Sequence, residues 1–191
     1  FGPIDLVLFY PLVILPALIL VGTNGFNMLA GYSGLEPGQG IIILATLAYF
    51  AGLTGVTWAA VVALCMVAAL SAMLVFNKYP ASIFPGDTLT YTVGALIAVT
   101  AIVANLEKIF MILFIPYIIE FFLKLRGRFQ KESFAQIKED GTLVPRYEKN
   151  YGLEHLAVRL LCSLGIPTTE RKVVYLLYGF QLCFVALAFL I

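Results

Sequence analysis

Charged residues are scarce in this chain. Only 12% of its 191 residues are Asp, Glu, Lys or Arg, whereas 61% are hydrophobic, and the mean hydropathy is +0.97. Soluble domains carry about 25% charged and about 45–50% apolar residues. A soluble core of this size could not bury so much apolar surface, so the composition argues against an ordinary soluble domain and favours a protein embedded in a bilayer.

Other absences argue against further classes of protein. The net charge is only +1, so electrostatics gives no reason to expect nucleic acid as a partner. The three cysteines form no CxxC pair, and two lie in apolar runs, which argues against a disulfide framework or a cysteine metal site. The chain begins with Phe1 and lacks a basic region before its first apolar run, so we expect a piece of a longer protein rather than a signal peptide.

Six apolar segments dominate the sequence. They comprise residues 6–22, 40–53, 57–76, 89–104, 109–123 and 173–191. A membrane-spanning helix needs about 20 apolar residues, and the shorter segments can borrow flanking residues or lie behind others in a bundle. The pattern predicts an all-α polytopic membrane protein with about six transmembrane helices.

The basic residues indicate an orientation in the membrane. If the segments cross alternately, one side receives the loops 23–39 and 77–88 and the long segment 124–172. Of the 12 Lys and Arg residues, only Lys108 then falls on the other side. Because basic loops are retained in the cytoplasm, we predict that the side with these three loops is cytoplasmic. The Gly, Asn, Asp and Pro clusters lie in the same loops, where function usually resides.

The chain is expected to have three regions. Residues 1–123 should hold five transmembrane helices and two cytoplasmic active-site loops, residues 124–172 a long cytoplasmic loop, and residues 173–191 the final transmembrane helix. Within the long loop, Asp140-Gly141 between two short alternating runs predicts a small β-hairpin. The leucine spacing in residues 153–164 predicts an amphipathic helix on the membrane surface or on the bundle.

Three polar clusters on the predicted cytoplasmic side could form one binding site. They are the loop 23–39, the loop 77–88, and Arg126-Gly127-Arg128 with the basic stretch that follows. Asn and Asp oxygens suit Mg²⁺, which takes one or two protein ligands and adds water and substrate phosphates. Arginine forks bind phosphate oxygens, an aromatic ring such as Phe84 can stack on a base, and glycines admit a ligand close to the backbone. Together these residue types predict a nucleotide-diphosphate site at a membrane surface.

Each of these residues also has a structural interpretation, which the sequence leaves open. Asp87 precedes an apolar run and could be a helix N-cap, and Asn27 could be a C-cap or a turn residue. Arg126 and Arg128 could serve only to set the membrane orientation, and Phe84 could be a packing residue or an interfacial anchor.

Two further residues stand out but are not placed in the site. The single histidine, His155, is expected to be an exposed or packed helix residue. Glu120 interrupts an apolar run, so it should have a partner, face a polar cavity, or lie near the cytoplasmic end of its helix in solvent.

The two active-site loops resemble those of the polyprenyl-phosphate N-acetylaminosugar-1-phosphate transferases, glycosyltransferase family 4. The resemblance rests on TNGFNMLAGYSGLEPGQG at residues 23–40 and NKYPASIFPGDT at residues 77–88. It covers nearly the whole chain and matches the last six of about ten helices in the family. AGYSGLE stands where bacterial members carry a DGLDG-like motif, so the chain looks most like the eukaryotic and archaeal dolichyl-phosphate GlcNAc-1-phosphotransferases.

The resemblance implies roles for residues of these two loops. Asn27 and Asp87 match the two Mg²⁺ ligands of the family and are the implied catalytic residues. Phe84 matches an aromatic residue that stacks on uracil. Gly31 and Ser33 lie where the edge of the uracil is read, although family members often have Asn at the position of Ser33.

The third cluster departs further from the family. Arg126 and Arg128 resemble the two arginines of an Arg-His-Arg element that grips the donor diphosphate, but Gly127 stands at the middle position and the loop lengths differ. The family also carries paired aspartates and a lysine on an earlier cytoplasmic loop, and this chain has no Asp-Asp pair. We therefore do not expect this segment to be active by itself.

The resemblance further implies a reaction and its partners. The intact enzyme is expected to move GlcNAc-1-phosphate from UDP-GlcNAc to a polyprenyl phosphate of the dolichyl type, releasing UMP, as the first step of lipid-linked glycan assembly. The bilayer would be the plasma membrane of an archaeon or the endoplasmic reticulum membrane of a eukaryote, and a homodimer is left open. The alternative is a non-enzymatic transporter or channel subunit, which typically has midplane polar residues and broken helices in paired halves.

Overall fold

The structure of the protein is a computed structural model, and it describes residues 8–139 and 141–191. The described part of the chain contains eight α-helices and one two-stranded sheet. The elements are α1 (Leu15–Met28), α2 (Leu35–Leu53), α3 (Thr57–Asn77), α4 (Gly86–Val103), α5 (Glu107–Leu113), α6 (Ile115–Arg126), β1 (Gln136–Ile137), β2 (Leu143–Val144), α7 (Leu153–Ser163) and α8 (Glu170–Phe189). A π-helical turn at Tyr10–Ile14 leads into α1.

The predicted all-α polytopic fold is confirmed. Helices occupy all six apolar segments, although residues 6 and 7 of the first segment lie outside the described residues. Among the described residues, four helices are long and apolar enough to cross a membrane. These are Tyr10–Met28, Thr57–Asn77, Gly86–Val103 and Glu170–Phe189.

The fifth apolar segment, which was predicted as one helix, is divided into two. Phe114 separates α5 from α6, and Pro116 follows in the first turn of α6. Proline has no backbone N–H, and its ring crowds the carbonyl group four residues earlier, so a continuous helix is disfavoured there. Backbone hydrogen bonds from Phe114 to Phe110 and from Ile118 to Phe114, both 2.9 Å, keep the two helices directly consecutive.

Helix α2 lies at the centre of the bundle, where it packs against α3, α4 and α8. Helix α1 packs against α4, and a pair of glycines allows the two backbones to meet closely. A Cβ atom on Gly94 would lie 2.4 Å from the carbonyl oxygen of Gly22. Because no side chain fits there, this contact lets the middle of α1 lie directly against the middle of α4.

The long segment after α6 contains the predicted hairpin. Strands β1 and β2 pair antiparallel, with Gln136 opposite Val144 and Ile137 opposite Leu143. Lys138 N donates to the carbonyl oxygen of Thr142 at 2.9 Å and so closes the turn. The turn residue Asp140 lies outside the described residues.

Helix α7 is the predicted amphipathic helix, and it packs against α6 and α8. Leu153, Val158 and Leu161 are buried, whereas Leu156 and Leu160 are exposed. One apolar face of α7 therefore lies on the bundle, and a second apolar face stays uncovered.

Candidate active site

The largest group of candidate residues lines one cavity of about 620 Å³. It lies at the end of the bundle where α1 ends and where α2, α4 and α8 begin. Five of the seven residues predicted for the site border it, and they come from both active-site loops. These five are Asn27, Gly31, Ser33, Phe84 and Asp87.

The two expected metal ligands are brought together by the contact between α1 and α4. Asn27 lies in the last turn of α1 and Asp87 in the first turn of α4. The hydroxyl group of Thr90 donates to Asn27 Oδ1 at 2.7 Å and lies 3.2 Å from the carbonyl oxygen of Asp87, one turn earlier in α4. A threonine one turn into α4 thus ties the two candidate residues to each other.

The simpler interpretations of these two residues do not match the structure. Pro85 stands at the N-cap of α4 and Leu29 at the C-cap of α1, so neither Asp87 nor Asn27 is a cap. The exposed Asp87 carboxylate makes no hydrogen bond or ion pair with the described residues. Its oxygens are therefore available to a ligand.

The donor set of this cavity suits a hard cation. An amide oxygen and a carboxylate, Asn27 and Asp87, border a space that also has room for water and phosphate oxygens. Within residues 8–139 and 141–191, no cluster of three or more His, Cys, Asp or Glu side chains could hold a metal. Mg²⁺ fits such a site because it takes few protein ligands and keeps several waters or phosphate oxygens.

The loop between α1 and α2 is held by two glutamates that are not among the residues predicted for the site. Gly31 N donates to Glu36 Oε1 at 2.8 Å, and Ser33 N donates to Glu170 Oε1 at 2.5 Å. Gly31 has φ +122°, and a Cβ atom there would lie 2.9 Å from the ring of Phe134. This backbone therefore requires glycine and presents itself directly to the cavity.

Both glutamates also border the cavity. Glu36 is only 6% exposed, and its Oε2 atom has no hydrogen-bond partner among the described residues. Glu36 stands in the first turn of α2 and Glu170 in the first turn of α8. In the sequence both look like ordinary acidic residues at a helix start, and only the meeting of the two helix ends reveals their second role.

The second loop is tied to the first by Asn77. This fully buried side chain accepts from Gly34 N at 2.8 Å and donates to the carbonyl oxygen of Ile83 at 2.8 Å. The neighbouring Phe84 is 67% exposed and borders both the cavity and an apolar cleft of about 370 Å³ between α3 and α4. Its position suits stacking on a base, and this role stays a prediction.

The long segment closes the opposite side of the cavity. The hydroxyl oxygen of Tyr32 accepts from Ala135 N at 3.0 Å, and the Tyr32 ring meets Phe134 edge-on, with 5.9 Å between ring centroids. Burial raises the pKa of Tyr32 to about 12, so its hydroxyl group stays protonated. Tyr32 therefore anchors the segment before β1 to the first loop.

The two arginines of the third cluster lie away from this cavity. Arg126 is the last residue of α6 and Arg128 follows in a left-handed conformation with φ +54°; both are exposed. Neither borders the cavity in the described structure. Their contact with a donor diphosphate stays a prediction.

A second polar cluster lies between α6, α7 and the end of α1. Glu120 is fully buried, accepts from Leu153 N at 2.6 Å, and lies 3.4 Å from Lys124 Nζ, which in turn donates to the carbonyl oxygen of Met28. Burial and the facing Glu120 carboxylate raise the pKa of Glu154 well above its usual range, with Lys124 opposing the shift. Glu120 thus has the partner that its place in an apolar run requires.

His155, the only histidine in the sequence, belongs to the same region. It is buried, and its Nδ1 atom accepts a hydrogen bond from Tyr151 N at 3.1 Å. Burial lowers its pKa. The packed-residue interpretation of this histidine is therefore confirmed.

Comparison with known proteins assigns a family to these loops. The family model described as glycosyl transferase family 4 matches residues 1–105, which include Asn27, Phe84 and Asp87. A protein of Saccharolobus solfataricus, provisionally named UDP-N-acetylglucosamine–dolichyl-phosphate N-acetylglucosaminephosphotransferase, is 42% identical over 98% of this chain and 57% of its own length.

Two further relatives carry the same enzyme name. The Sulfolobus acidocaldarius protein, also provisionally named, is 36% identical over 95% of this chain and 54% of its own length. The Dictyostelium discoideum protein is 31% identical over 94% of this chain and 50% of its own length. The chain therefore spans about half the length of the curated relatives it matches. The family match over residues 1–105 and the relatives point to the same family, and the chain belongs to glycosyl transferase family 4.

Proposed function

We propose that the complete protein containing this chain is a Mg²⁺-dependent phosphotransferase that moves GlcNAc-1-phosphate from UDP-GlcNAc to a polyprenyl phosphate of the dolichyl type. The observation that carries this proposal is the single cavity bordered by Asn27, Asp87 and Phe84, which offers oxygen ligands beside a stacking surface. The names of the relatives support the two substrates.

The proposed reaction is one phosphoryl transfer. An oxygen of the polyprenyl phosphate forms a bond to the β-phosphorus of UDP-GlcNAc. The bond from that phosphorus to the oxygen bridging to the α-phosphorus breaks, and UMP leaves with this oxygen. Catalysis of this kind depends mostly on positioning and on electrostatic stabilisation.

The residues of the chain supply the positioning. Phe84 would hold the base at the rim of the cavity, and the Gly31 backbone would admit the ligand closely. Asn27 and Asp87 would hold Mg²⁺, which neutralises charge on the donor diphosphate when bound. The cavity lies at one end of the bundle, where a soluble donor can meet an acceptor whose tail stays in lipid.

The test is UMP release by the complete gene product in detergent, with UDP-GlcNAc and a polyprenyl phosphate. Reactions contain Mg²⁺ or EDTA, and Asp87→Asn is compared with Glu148→Gln, a matched change at an exposed acid that does not border the cavity. We expect release that requires metal, acceptor and Asp87, and that is unaffected by Glu148→Gln.

Two outcomes would contradict the proposal. Full activity of Asp87→Asn would remove Asp87 from the site. Failure of the folded protein to release a nucleotide from any of a panel of nucleotide sugars would overturn the transferase and favour a transport or binding protein.

A further inference from the structure

A second cavity of about 380 Å³ lies beside the candidate active site, on the other side of the Ser33-Gly34 backbone. One wall is the end of α3 and the other is the beginning of α8. Both helices pack on α2, which begins at the bottom of the cavity. Apart from Ser33, the residues that border it take no part in the proposed transferase site.

The dividing wall between the two cavities is firmly held. Gly34 N donates to the buried Asn77 side chain at 2.8 Å, and the carbonyl oxygen of Gly34 accepts from the hydroxyl group of Tyr178. Ser33 N is bonded to Glu170. Because three of its backbone atoms are held in this way, the wall separates the second cavity from the first.

The second cavity carries positive charge that no described residue bordering it neutralises. Lys78 and Arg171 both border it, and none of the described residues bordering it is acidic. Lys78 is exposed, and its side chain makes no hydrogen bond or ion pair with the described residues. Arg171 Nη2 donates to the carbonyl oxygen of Tyr79 at 2.9 Å, and the guanidinium group lies 5.2 Å from the centroid of the Tyr79 ring. That contact fixes the guanidinium group while using only one of its five N–H donors.

Apolar and aromatic side chains continue from this charged end along the helices. Leu74 and Val174 border the cavity, and so does Tyr175, which is 66% exposed. Val75 and Phe76, at the same end of α3, are also exposed. Helices α3 and α8 are both among those long and apolar enough to cross a membrane, so this surface is suited to contact with acyl chains, and tyrosine is favoured at the level of the headgroups.

We propose that this cavity binds the phosphate group of an anionic phospholipid, with Lys78 and Arg171 as its cationic partners. Basic pockets between transmembrane helices are known to hold such headgroups. A soluble phosphate would satisfy the two cations but would leave the apolar flank uncovered. A phospholipid can contact both the two cations and the apolar flank, because its charged headgroup lies next to its acyl chains.

The first experiment measures lipid retention by the complete gene product, using native mass spectrometry after incubation with dioleoyl phosphatidylglycerol or dioleoyl phosphatidylcholine. We expect selective retention of the phosphatidylglycerol and an affinity about fivefold lower in Lys78→Gln, the loss typical of one cation near an anionic lipid. The matched control is Lys172→Gln, which removes an exposed lysine next to Arg171 that bonds to Pro167 and does not border the cavity. This control should bind like the unchanged protein.

A second arm separates a lipid from a soluble phosphate. Inorganic phosphate and glycerol 1-phosphate at millimolar concentration should leave the retained lipid in place. If inorganic phosphate displaces the lipid, and if the binding of inorganic phosphate is weakened by Lys78→Gln, the occupant is a soluble anion and the lipid proposal fails. Equal retention of both lipids, or equal retention by Lys78→Gln and the unchanged protein, would also overturn it.

Discussion

Two groups of polar side chains lie at the same end of this bundle, and they differ in what their oxygens contact. In the candidate active site, Asp87 is exposed and its carboxylate has no partner among the described residues. In the cluster between α6 and α7, Glu120 is buried and bonded to Lys124 and to Leu153 N. The Asp87 carboxylate can bind something from outside, whereas the Glu120 carboxylate already binds parts of its own chain.

The comparison shows why an acid in an apolar run is not in itself a sign of a ligand site. Glu120 has the more unusual sequence context, because a charge at membrane depth is costly without a partner. Its partners come from within the protein, so its expected role is to hold α6, α7 and the end of α1 together. Asp87 looks ordinary in sequence, yet its carboxylate has no hydrogen-bond or ion-pair partner among the described residues.

The largest effect is expected for Asp87→Ala, which should lower kcat/KM for UMP release by about 10²–10³-fold or more, the loss seen when one electrostatic contact to a reacting group is removed. Because this side chain is exposed and unpaired within the described structure, the free energy of unfolding should change by less than about 0.5 kcal/mol. Activity assays and thermal melting in detergent measure the two quantities. Activity within a factor of about three of the unchanged enzyme would contradict the assignment.

Glu120→Ala is expected to act mainly on stability, in contrast to Asp87→Ala. The change leaves the Lys124 ammonium group and Leu153 N without their buried acceptor, which should destabilise the protein by about 3 kcal/mol. The readout is the melting temperature of the complete gene product in detergent. Glu120→Gln is the control, because its amide oxygen can still accept from Leu153 N and should restore part of the loss. A melting temperature unchanged by Glu120→Ala would show that the cluster does not stabilise the fold.

Local signals in the sequence were sufficient for much of this architecture. The apolar runs marked the helices, and Asp140-Gly141 marked the hairpin that pairs Ile137 with Leu143. Asn27 and Asp87 are 60 residues apart and meet through the contact between α1 and α4. The alternation of the apolar segments could place their two loops on one side of the membrane, and the family motifs then implied that these two residues share a metal ion.

The remaining features depend on tertiary contacts that leave little local trace. Glu36 and Glu170 border the cavity because the starts of α2 and α8 meet there. Glu120 and Glu154 face each other because α7 folds back onto α6. The break at Phe114 is different, because it does have a local signal in the sequence. Pro116 can break a helix, but it lies within a continuous apolar run that otherwise predicts a single helix.

A smaller effect is expected for Phe84→Ala, which should raise the KM for UDP-GlcNAc about tenfold and change kcat little, because stacking on a base contributes about 1–3 kcal/mol. The ring is mostly exposed, so stability should not change. Ile83→Ala is the matched control, since Ile83 borders the apolar cleft between α3 and α4 but not the active-site cavity. Equal KM values for the two variants would mean that Phe84 does not contact the base.

The smallest effect is expected for Glu154→Gln, in the cluster between α6 and α7, which should hardly change the stability of the protein at mildly acidic pH. Burial and the Glu120 carboxylate raise the pKa of Glu154, although Lys124 opposes them. The folded protein therefore keeps a proton on Glu154 at pH values where the unfolded chain releases it, so the stability of the unchanged protein falls as the pH rises above about 4.3, the usual glutamate pKa. Glutamine resembles the protonated acid and has no proton to lose.

The stability difference between Glu154→Gln and the unchanged protein should thus be close to zero near pH 4 and should grow in favour of the variant as the pH rises. Melting temperatures of both proteins at several pH values between 4 and 8 measure this difference. Glu148→Gln, at an exposed acid on the same segment, should show no such trend. A difference that stays constant with pH would mean that folding does not raise the pKa of Glu154, which would contradict the burial of its carboxyl group beside Glu120.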